Sequence, residues 1–475
     1  MKQKFVSNIL LLLLLNLIIK PYWVLGIDRQ VQNILGANEY GTYFALFNFS
    51  LLFSIFLDFG LTNYNQRNIA QNTHLLKEYF GGLMGLKFLL GFVYILILIG
   101  AALFMNYNEY RIKILLLLAI NQFLLSVILF IRSNISALQY FKTDSLLSVL
   151  DKLLMIIFCS FLIYNHKAEL SILTFILSQT TAYIITLLLG LMLILKRTGI
   201  VLPHFKIIFL TKNLKETFPY ALLILTMTFY YRIDGVMLDL LLPNGAEVAG
   251  IYAQSYRLLD AGSMLGLLFA GLLLPMFAYQ LKQNESIHEL LHISFNLLML
   301  PVLSIGLFVI AYASDICTMM YNEQPETTAQ TLQILMFSFL FISASYIYGT
   351  LLTANANMKE LNILALTGMF LNVCLNFILI PRYGGVGAAW ASMITLLLVI
   401  AAQGVLCKWI FKISFNIQYC FRLLVYALHI IISLWVLHYF AINILVAALL
   451  VFSISFLAAF FLKLVKPSDF SILSK

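Results

Sequence analysis

Charge is scarce in this sequence. Asp, Glu, Lys and Arg make up 10% of the 475 residues, against roughly a quarter in soluble domains, while 62% of the residues are hydrophobic. A soluble fold of this length could not cover its surface with so few charged side chains, so the composition excludes that class. Fourteen membrane spans of about 20 residues each would leave only short loops, which excludes a large soluble domain.

Cysteine and enzyme motifs are also sparse. The five cysteines are scattered and form no CxxC pair, which argues against a disulfide framework and a thiolate metal site. The chain has no phosphate-binding loop and no GxSxG motif. Residues 288–292 read His-Glu-Leu-Leu-His, but no third ligand follows at metal spacing. We therefore predict no metal, no cofactor and no enzymatic activity.

Long apolar runs dominate what remains. Broken by charged residues, Pro, Gly and Asn, they predict an all-α polytopic membrane protein with about fourteen transmembrane helices. The predicted spans are 5–34, 41–62, 79–105, 111–131, 146–164, 169–195, 216–241, 248–277, 291–312, 329–353, 361–380, 385–407, 418–438 and 441–462.

Basic residues are distributed unequally between the two sets of predicted loops. Nineteen of the 29 Lys and Arg residues fall in one set and only four in the other. The positive-inside rule then places both termini in the cytoplasm, with the chain in the cytoplasmic (inner) membrane. The same asymmetry accounts for the net charge of +9, so nucleic acid is not predicted as a partner.

An internal repeat connects the first and second halves of the chain at an offset of 209 residues. Each copy falls at a predicted outer turn between an outgoing and a returning span, which suggests parallel repeats. The matching residues are Gly36, Ala37, Gly41 and Tyr43 in the first copy and Gly245, Ala246, Gly250 and Tyr252 in the second.

The repeat predicts the division of the chain. We expect an N-terminal lobe at 1–195 with spans 1–6 and a C-terminal lobe at 216–409 with spans 7–12. A cytoplasmic loop at 196–215 would join them. Residues 410–475 would add spans 13 and 14 and a cytoplasmic tail.

Charged residues inside predicted spans are the candidate site. A charge at the bilayer centre costs about 2.5–3.5 kcal/mol on insertion scales, so such residues usually face a cavity or a partner. Arg232 and Arg257 lie at equal distances from the second hairpin apex, and Arg29 lies at a similar depth in the first. Arginine suits phosphate because its donors form a fixed fork. The alternative is that these charges only tie helices together.

Acidic residues accompany these cations. Asp28, Asp234 and Asp260 are predicted to pair with the three arginines, and Asp58 with Lys20, because the latter two lie at equal distances from the first apex. The predicted anion-binding residues are therefore Lys20, Arg29, Arg232 and Arg257, and the four aspartates support them.

Three stretches of the sequence resemble the Wzx-like lipid-linked oligosaccharide flippases of the MOP superfamily, which also holds the MATE exporters and the lipid II flippases. They cover most of the chain, in order. The stretches are Asn33-Ile34-Leu35-Gly36 through Asn68-Ile69-Ala70, Tyr230-Tyr231-Arg232-Ile233-Asp234 through Tyr256-Arg257-Leu258, and Asn376 with Ile380-Pro381-Arg382-Tyr383-Gly384 through Gly387-Ala388-Ala389.

The resemblance implies two six-helix lobes around a central cationic cavity, two additional C-terminal helices, and transport by alternating access. It implies a polyprenyl-pyrophosphate-linked oligosaccharide as substrate, moved from the inner to the outer leaflet for O-antigen or capsular polysaccharide synthesis. Membrane lipids are then partners, and a polysaccharide polymerase is left open as another. A MATE-type small-molecule antiporter and a membrane-embedded polymerase or ligase remain as alternatives.

The predicted topology can be tested with reporter fusions. Because the span count is even, a reporter at Lys475 should be cytoplasmic and a reporter inserted in the 313–328 loop should face outside. Compartment-specific enzyme activity of the two fusions measures this. Activity of both on the same side would contradict the topology.

Overall fold

The computed structural model describes residues 14–165, 167–199, 201, 207–413 and 417–466. This part of the chain is almost entirely helical and contains no β-strand. The prediction of an all-α fold is therefore confirmed. A bilayer offers no water to satisfy backbone N–H and C=O groups, and a helix satisfies them within itself.

The helices follow one another with short connections. They are α1 (14–22), α2 (Arg29–Leu52), α3 (Leu61–Gln71), α4 (Leu76–Phe104), α5 (Glu109–Ala137), α6 (Phe141–Asn165), α7 (Ile172–Thr198), α8 (Ile207–Leu241), α9 (Gly245–Lys282), α10 (His288–Ala311), α11 (Ala313–Met320), α12 (Pro325–Ala354), α13 (Met358–Phe411), α14 (Ile417–Tyr439) and α15 (Ile444–Phe461).

Eleven of the described helices are long and apolar enough to cross a membrane. Helix α13 is two helices that meet at Gly384 (φ 55°, ψ −132°), and the first hairpin turns at Gly36 (φ 78°, ψ 165°). Both backbone conformations strongly favour glycine, because a side chain would clash there. Counting α13 as two helices brings these candidate spans to twelve. The first hairpin, which is not among them, lies where the first two of the fourteen spans are predicted.

The chain forms two compact units, Met1–Ala253 and Gln254–Lys475. In the first unit, α5 packs against α2, α3, α4, α6 and α7. Phe80 of α4 and Phe130 of α5 stack with ring centroids 5.7 Å apart. Both side chains are buried, so α5 is the central helix of this unit.

In the second unit, α12 packs against α10, α11 and α13, and α14 and α15 pack on α10. Ala447, Val451 and Ala459 form a buried small-residue stripe on α15, which permits close helix packing in a membrane. The hydroxyls of Ser304 and Tyr426 join α10 to α14 at 2.9 Å.

The predicted lobes at 1–195 and 216–409 stay a prediction. The predicted loop at 196–215 lies partly outside the described residues. Two short helices, α3 and α11, were not distinguished from their neighbours by the apolar pattern; α3 follows span 2 after a 3₁₀ turn at Ser54–Leu57.

Candidate functional site

The helix of span 1 is locally wound as a π-helix at Trp23–Asp28. Such π-segments occur frequently at functional sites because they rotate the following side chains relative to a regular α-helix. Trp23 stacks on Phe175 of α7, with ring centroids 6.1 Å apart and the planes within 3° of parallel. The π-helix ends immediately before Arg29, which it therefore helps to orient.

Arg29 is half-buried, and its Nε is shielded from solvent without a hydrogen-bond partner among the described residues. Buried polar groups in folded proteins nearly always have a partner, so an exception calls for an explanation. A bound anion would supply the missing acceptor. Of the predicted site residues, Arg29 is the one that carries such an atom in the described part of the chain.

Asp28, the residue before Arg29, forms hydrogen bonds within the first hairpin. Asp28 is 2% exposed and accepts hydrogen bonds from the Tyr40 hydroxyl at 2.9 and 3.0 Å and from the Gln32 amide at 3.3 Å. Tyr40 lies beyond the turn at Gly36, so the carboxylate ties the outgoing helix to the returning one.

The second hairpin uses a similar contact. Asp234 of α8 is fully buried and accepts a hydrogen bond from the Tyr252 hydroxyl of α9 at 2.8 Å. Arg232, on the same helix, is half-buried. In both hairpins a buried carboxylate on the first helix therefore meets a tyrosine on the second.

Arg257 lies in the second compact unit, where it forms the predicted ion pair with Asp260, with 3.7 Å between Nη1 and Oδ2. The two residues are three positions apart on α9, as neighbours on one helix face should be. That Arg29, Arg232 and Arg257 share one cavity stays a prediction.

The predicted pair of Lys20 with Asp58 is wrong. Asp58 instead pairs with Lys87. The prediction assumed two straight helices of equal depth. Span 2 instead leaves the α-helical path after Leu52 and continues as a 3₁₀ turn, which turns Asp58 towards α4.

Lys87 of α4 is the cation of this ion pair. It is 1% exposed, and its ammonium group donates to the Leu57 carbonyl at 3.2 Å, to the Ser126 hydroxyl at 2.8 Å and to the Asp58 carboxylate. All three ammonium protons are thus accommodated, which makes a buried lysine tolerable inside a membrane helix.

A cavity of about 530 Å³ opens beside this ion pair within the first unit. Helix α5 and residues 51–66 supply most of its wall, and Asp144 of α6 and Ile224 of α8 also line it. Arg132 and Asp144 form a further ion pair there, with 2.8 Å between Nε and Oδ1. The polar lining residues are Ser54, Asp58, Thr62, Gln66, Gln122, Ser126, Arg132, Ser133, Ser136 and Asp144.

This lining offers hydroxyl and amide groups that both donate and accept hydrogen bonds, beside charged groups of both signs. Such a mixture suits a ligand rich in hydroxyls. Of these lining residues, only Asp58 was predicted from the sequence to belong to the site. A signal was present, because Gln122, Ser126, Ser133 and Ser136 recur on α5 at helical spacing and form one polar stripe.

A second cavity, of about 420 Å³, lies wholly in the second unit between α10, α14 and α15. Leucine, isoleucine, phenylalanine and proline side chains dominate its wall. The Ser304 and Tyr426 hydroxyls at its floor are hydrogen-bonded to each other, so they leave little unsatisfied polarity facing the space. The cavity suits an apolar ligand.

The His-Glu-Leu-Leu-His segment begins α10. Within the described ranges, no group of three His, Cys, Asp or Glu side chains is placed to hold a metal ion. His292 instead contacts the Tyr419 ring, with 4.6 Å between ring centroids.

The helical architecture defines a multi-pass membrane protein. Residues 5–281, more than half of the chain, match the family model described as polysaccharide biosynthesis protein. The chain belongs to this family. No curated protein matches it.

Solved structures show the same fold. The lipid II flippase MurJ in an inward closed conformation aligns with a TM-score of 0.71 at 15% identity, covering 93% of this chain and 97% of that one. An inward-facing multidrug resistance MATE family transporter of the MOP superfamily aligns with a TM-score of 0.62 at 14% identity, covering 85% and 96%. The outward-facing form of such a transporter gives 0.59 at 14% identity, covering 86% and 96%. The chain therefore has the MOP fold.

Because Lys87 pairs with Asp58, we expect loss of Lys87 to destabilise the protein more than loss of an exposed lysine. Changing Lys87→Met leaves the Asp58 carboxylate without its partner, which should cost about 1–3 kcal/mol because the Asp58 side chain is 30% exposed and water can partly solvate it. The double variant Lys87→Met/Asp58→Asn should recover most of that loss. Thermal unfolding of detergent-purified protein, followed by fluorescence-detected size exclusion, measures the effect.

The matched control is Lys113→Met, which removes the same charge from an exposed position on α5. A melting temperature of Lys87→Met equal to that of this control would show that the buried pair contributes nothing.

Proposed function

We propose that this protein is a flippase that moves polyprenyl-pyrophosphate-linked oligosaccharide units from the inner to the outer leaflet of the cytoplasmic membrane by alternating access. Surface polysaccharide synthesis, of O-antigen or capsule, would use the product, and a polysaccharide polymerase would be the partner that receives it. The activity needs no cofactor and no covalent catalysis. Membership of the polysaccharide biosynthesis family and the MOP fold support this proposal.

The observation that carries the proposal is the cavity of about 530 Å³ in the first unit. Its hydroxyls, amides and ion pairs match the alternating donors and acceptors of a saccharide. A small organic cation would instead favour acidic residues free of cationic partners. Here Asp58 and Asp144 both have such partners.

The pyrophosphate is assigned to the arginines. Arg29 has a buried Nε without an acceptor, which a phosphate oxygen would supply. Arg232 and Arg257 are proposed to add further contacts, and Lys20 adds positive charge on the same span as Arg29. Asp28, Asp234 and Asp260 would orient these helices and cations while the site is empty, as their contacts with Tyr40, Tyr252 and Arg257 suggest.

The lipid tail needs an apolar path. The cavity of about 420 Å³ between α10, α14 and α15 is lined mainly by hydrocarbon, and its polar floor is internally satisfied. Hydrocarbon transferred there avoids water at about 25 cal/mol per Å² of apolar surface. The two helices beyond the predicted lobes would thus serve the tail.

The proposal predicts where substrate accumulates in cells. Deletion of the gene should leave lipid-linked units on the inner leaflet, and expression of the wild-type chain should restore surface polysaccharide. Arg29→Gln should restore at most about a tenth of it, because a hydrogen bond to a charged group contributes about 1.5–3 kcal/mol. Arg29→Lys keeps the charge but not the fork and should restore an intermediate amount. Surface glycan and inner-leaflet lipid-linked saccharide are both measured.

The matched control is Arg382→Gln, which removes one arginine from an exposed position. Full restoration by Arg29→Gln at wild-type membrane levels would refute the assignment of Arg29. Single units stranded on the outer leaflet after gene deletion would refute the flippase and indicate a polymerase.

A further inference from the structure

The two copies of the internal repeat meet each other in the folded first unit. A methyl group added at Gly41 of α2 would overlap the carbonyl oxygen of Ala246 and lie 2.6 Å from the amide nitrogen of Gly250. Real side chains do not approach backbone atoms so closely. The start of α9 therefore packs directly on the backbone of α2.

The contact is reciprocal. A methyl group added at Gly250 would overlap the carbonyl oxygen of Ala37 and lie 2.6 Å from its carbonyl carbon. Gly41 and Ala37 are the first-copy equivalents of Gly250 and Ala246, at the same offset of 209 residues. The glycine of each copy thus lies against the backbone of the alanine in the other copy. Such a reciprocal arrangement is typical of an isologous contact between two-fold-related surfaces.

A third glycine extends the interface. A methyl group at Gly235 of α8 would come within 2.7 Å of both the Asn48 amide nitrogen and the Phe44 ring on α2. Small residues that let helix backbones approach are the usual basis of helix association in membranes. The second hairpin therefore fits against α2 along both of its helices.

An ion pair lies at the same end of these helices. Arg111, in the first turns of α5, binds the Asp239 carboxylate with both terminal nitrogens, at 2.5 and 2.9 Å. Asp239 is near the end of α8, and its side chain is 1% exposed. The Arg111 guanidinium also lies 5.4 Å from the centre of the Tyr107 ring.

The uncharged Tyr107 side chain packs against the guanidinium of this pair. Burial, and secondarily the charge of Asp239, raise the pKa of Tyr107 to about 12, so its hydroxyl stays protonated near neutral pH. The ring thus presents an uncharged, electron-rich face to the guanidinium. A two-pronged arginine–carboxylate pair in a largely buried place is among the stronger polar contacts in proteins.

We propose that the reciprocal glycine contact and the Arg111–Asp239 pair together form the extracytoplasmic gate of the transporter. The turns at Gly36 and at 242–244 lie at the end of the helices predicted to face outside. Both contacts join predicted N-terminal lobe helices, α2 and α5, to the first hairpin of the predicted C-terminal lobe. Opening of the exit requires α8 and α9 to leave α2 and α5, so both contacts must break together. This proposal rests on the alternating access of the proposed function.

The gate can be tested without substrate, by accessibility. In a chain freed of its five cysteines, Leu125→Cys places a thiol on the half-buried cavity wall midway along α5. A membrane-impermeant maleimide should label it in inverted vesicles and only weakly in intact cells. Gly250→Ala should raise labelling in intact cells by about fivefold or more, since conformational couplings of 1–3 kcal/mol are typical.

The matched control is Gly271→Ala on the same helix, where an added methyl group would meet nothing within 4 Å. It should leave labelling from both sides unchanged. Equal labelling of Gly250→Ala and Gly271→Ala, in protein of wild-type melting temperature, would overturn the glycine half of the gate.

The Arg111–Asp239 ion pair allows a second, independent test of the gate, with substitutions that do not enlarge a side chain. This test still applies if Gly250→Ala does not fold. Asp239→Asn and Arg111→Gln should each raise outside labelling by about fivefold or more. Lys113→Gln, two residues from Arg111 and exposed, should not. Unchanged labelling in both gate variants would overturn the proposal. Because no substrate is present, such a failure would leave the proposed function itself standing.

Discussion

The cost of holding charge inside an apolar helix bundle shapes this structure more than any other constraint. A chain with 10% charged residues still places lysine, arginine and aspartate within its spans. Inside the first unit most of these charges are matched: Lys87 with Asp58, Arg132 with Asp144, and Arg111 with Asp239. Each pair joins different helices. The burial of charge therefore ties the bundle together. Arg29 differs from these pairs, because its buried Nε has no hydrogen-bond acceptor among the described residues.

The pairs lie in two separate parts of the first unit. Lys87–Asp58 and Arg132–Asp144 border the polar cavity and would fix its walls. Arg111–Asp239 lies at the opposite end of α5, beside the contact of the two repeat copies. The central helix α5 thus lines the cavity towards one end and carries the Arg111–Asp239 pair of the proposed gate at the other. A movement of α8 and α9 relative to α5 would change both ends together, which is what alternating access requires.

Much of the architecture could be predicted from the sequence because membrane spans depend on length and hydropathy alone. The helical architecture and the turns at Gly36 and Gly384 followed from the apolar runs and their interruptions. The pairing of charged residues could not be predicted from the sequence in this way. Counting residues from a hairpin apex paired Lys20 with Asp58, since it could not show that span 2 becomes a 3₁₀ turn after Leu52. The polar stripe of α5 was present in the sequence at helical spacing, but single Ser and Gln residues in a span also pack helices without binding anything.

The repeat illustrates a further limit. Its four matched positions indicated two equivalent hairpins, but sequence alone could not show that the copies touch. Glycine in a span has several uses, and only the folded chain shows that Gly41 and Gly250 face each other's backbones. Within the predicted site, the shared placement of Arg29, Arg232 and Arg257 depends on long-range packing in the same way.

The most direct measurement uses purified protein in proteoliposomes with two candidate cargoes. One set contains a polyprenyl-pyrophosphate-linked oligosaccharide in both leaflets, and an added glycosidase reports how much of it reaches the outside. The other set contains a fluorescent organic cation, and its efflux is followed under proton and sodium gradients. The flippase account predicts that glycosidase consumes nearly all of the lipid-linked saccharide when protein is present and about half when it is absent, with no cation efflux. Gradient-driven efflux of the cation, with half of the saccharide still protected, would contradict it.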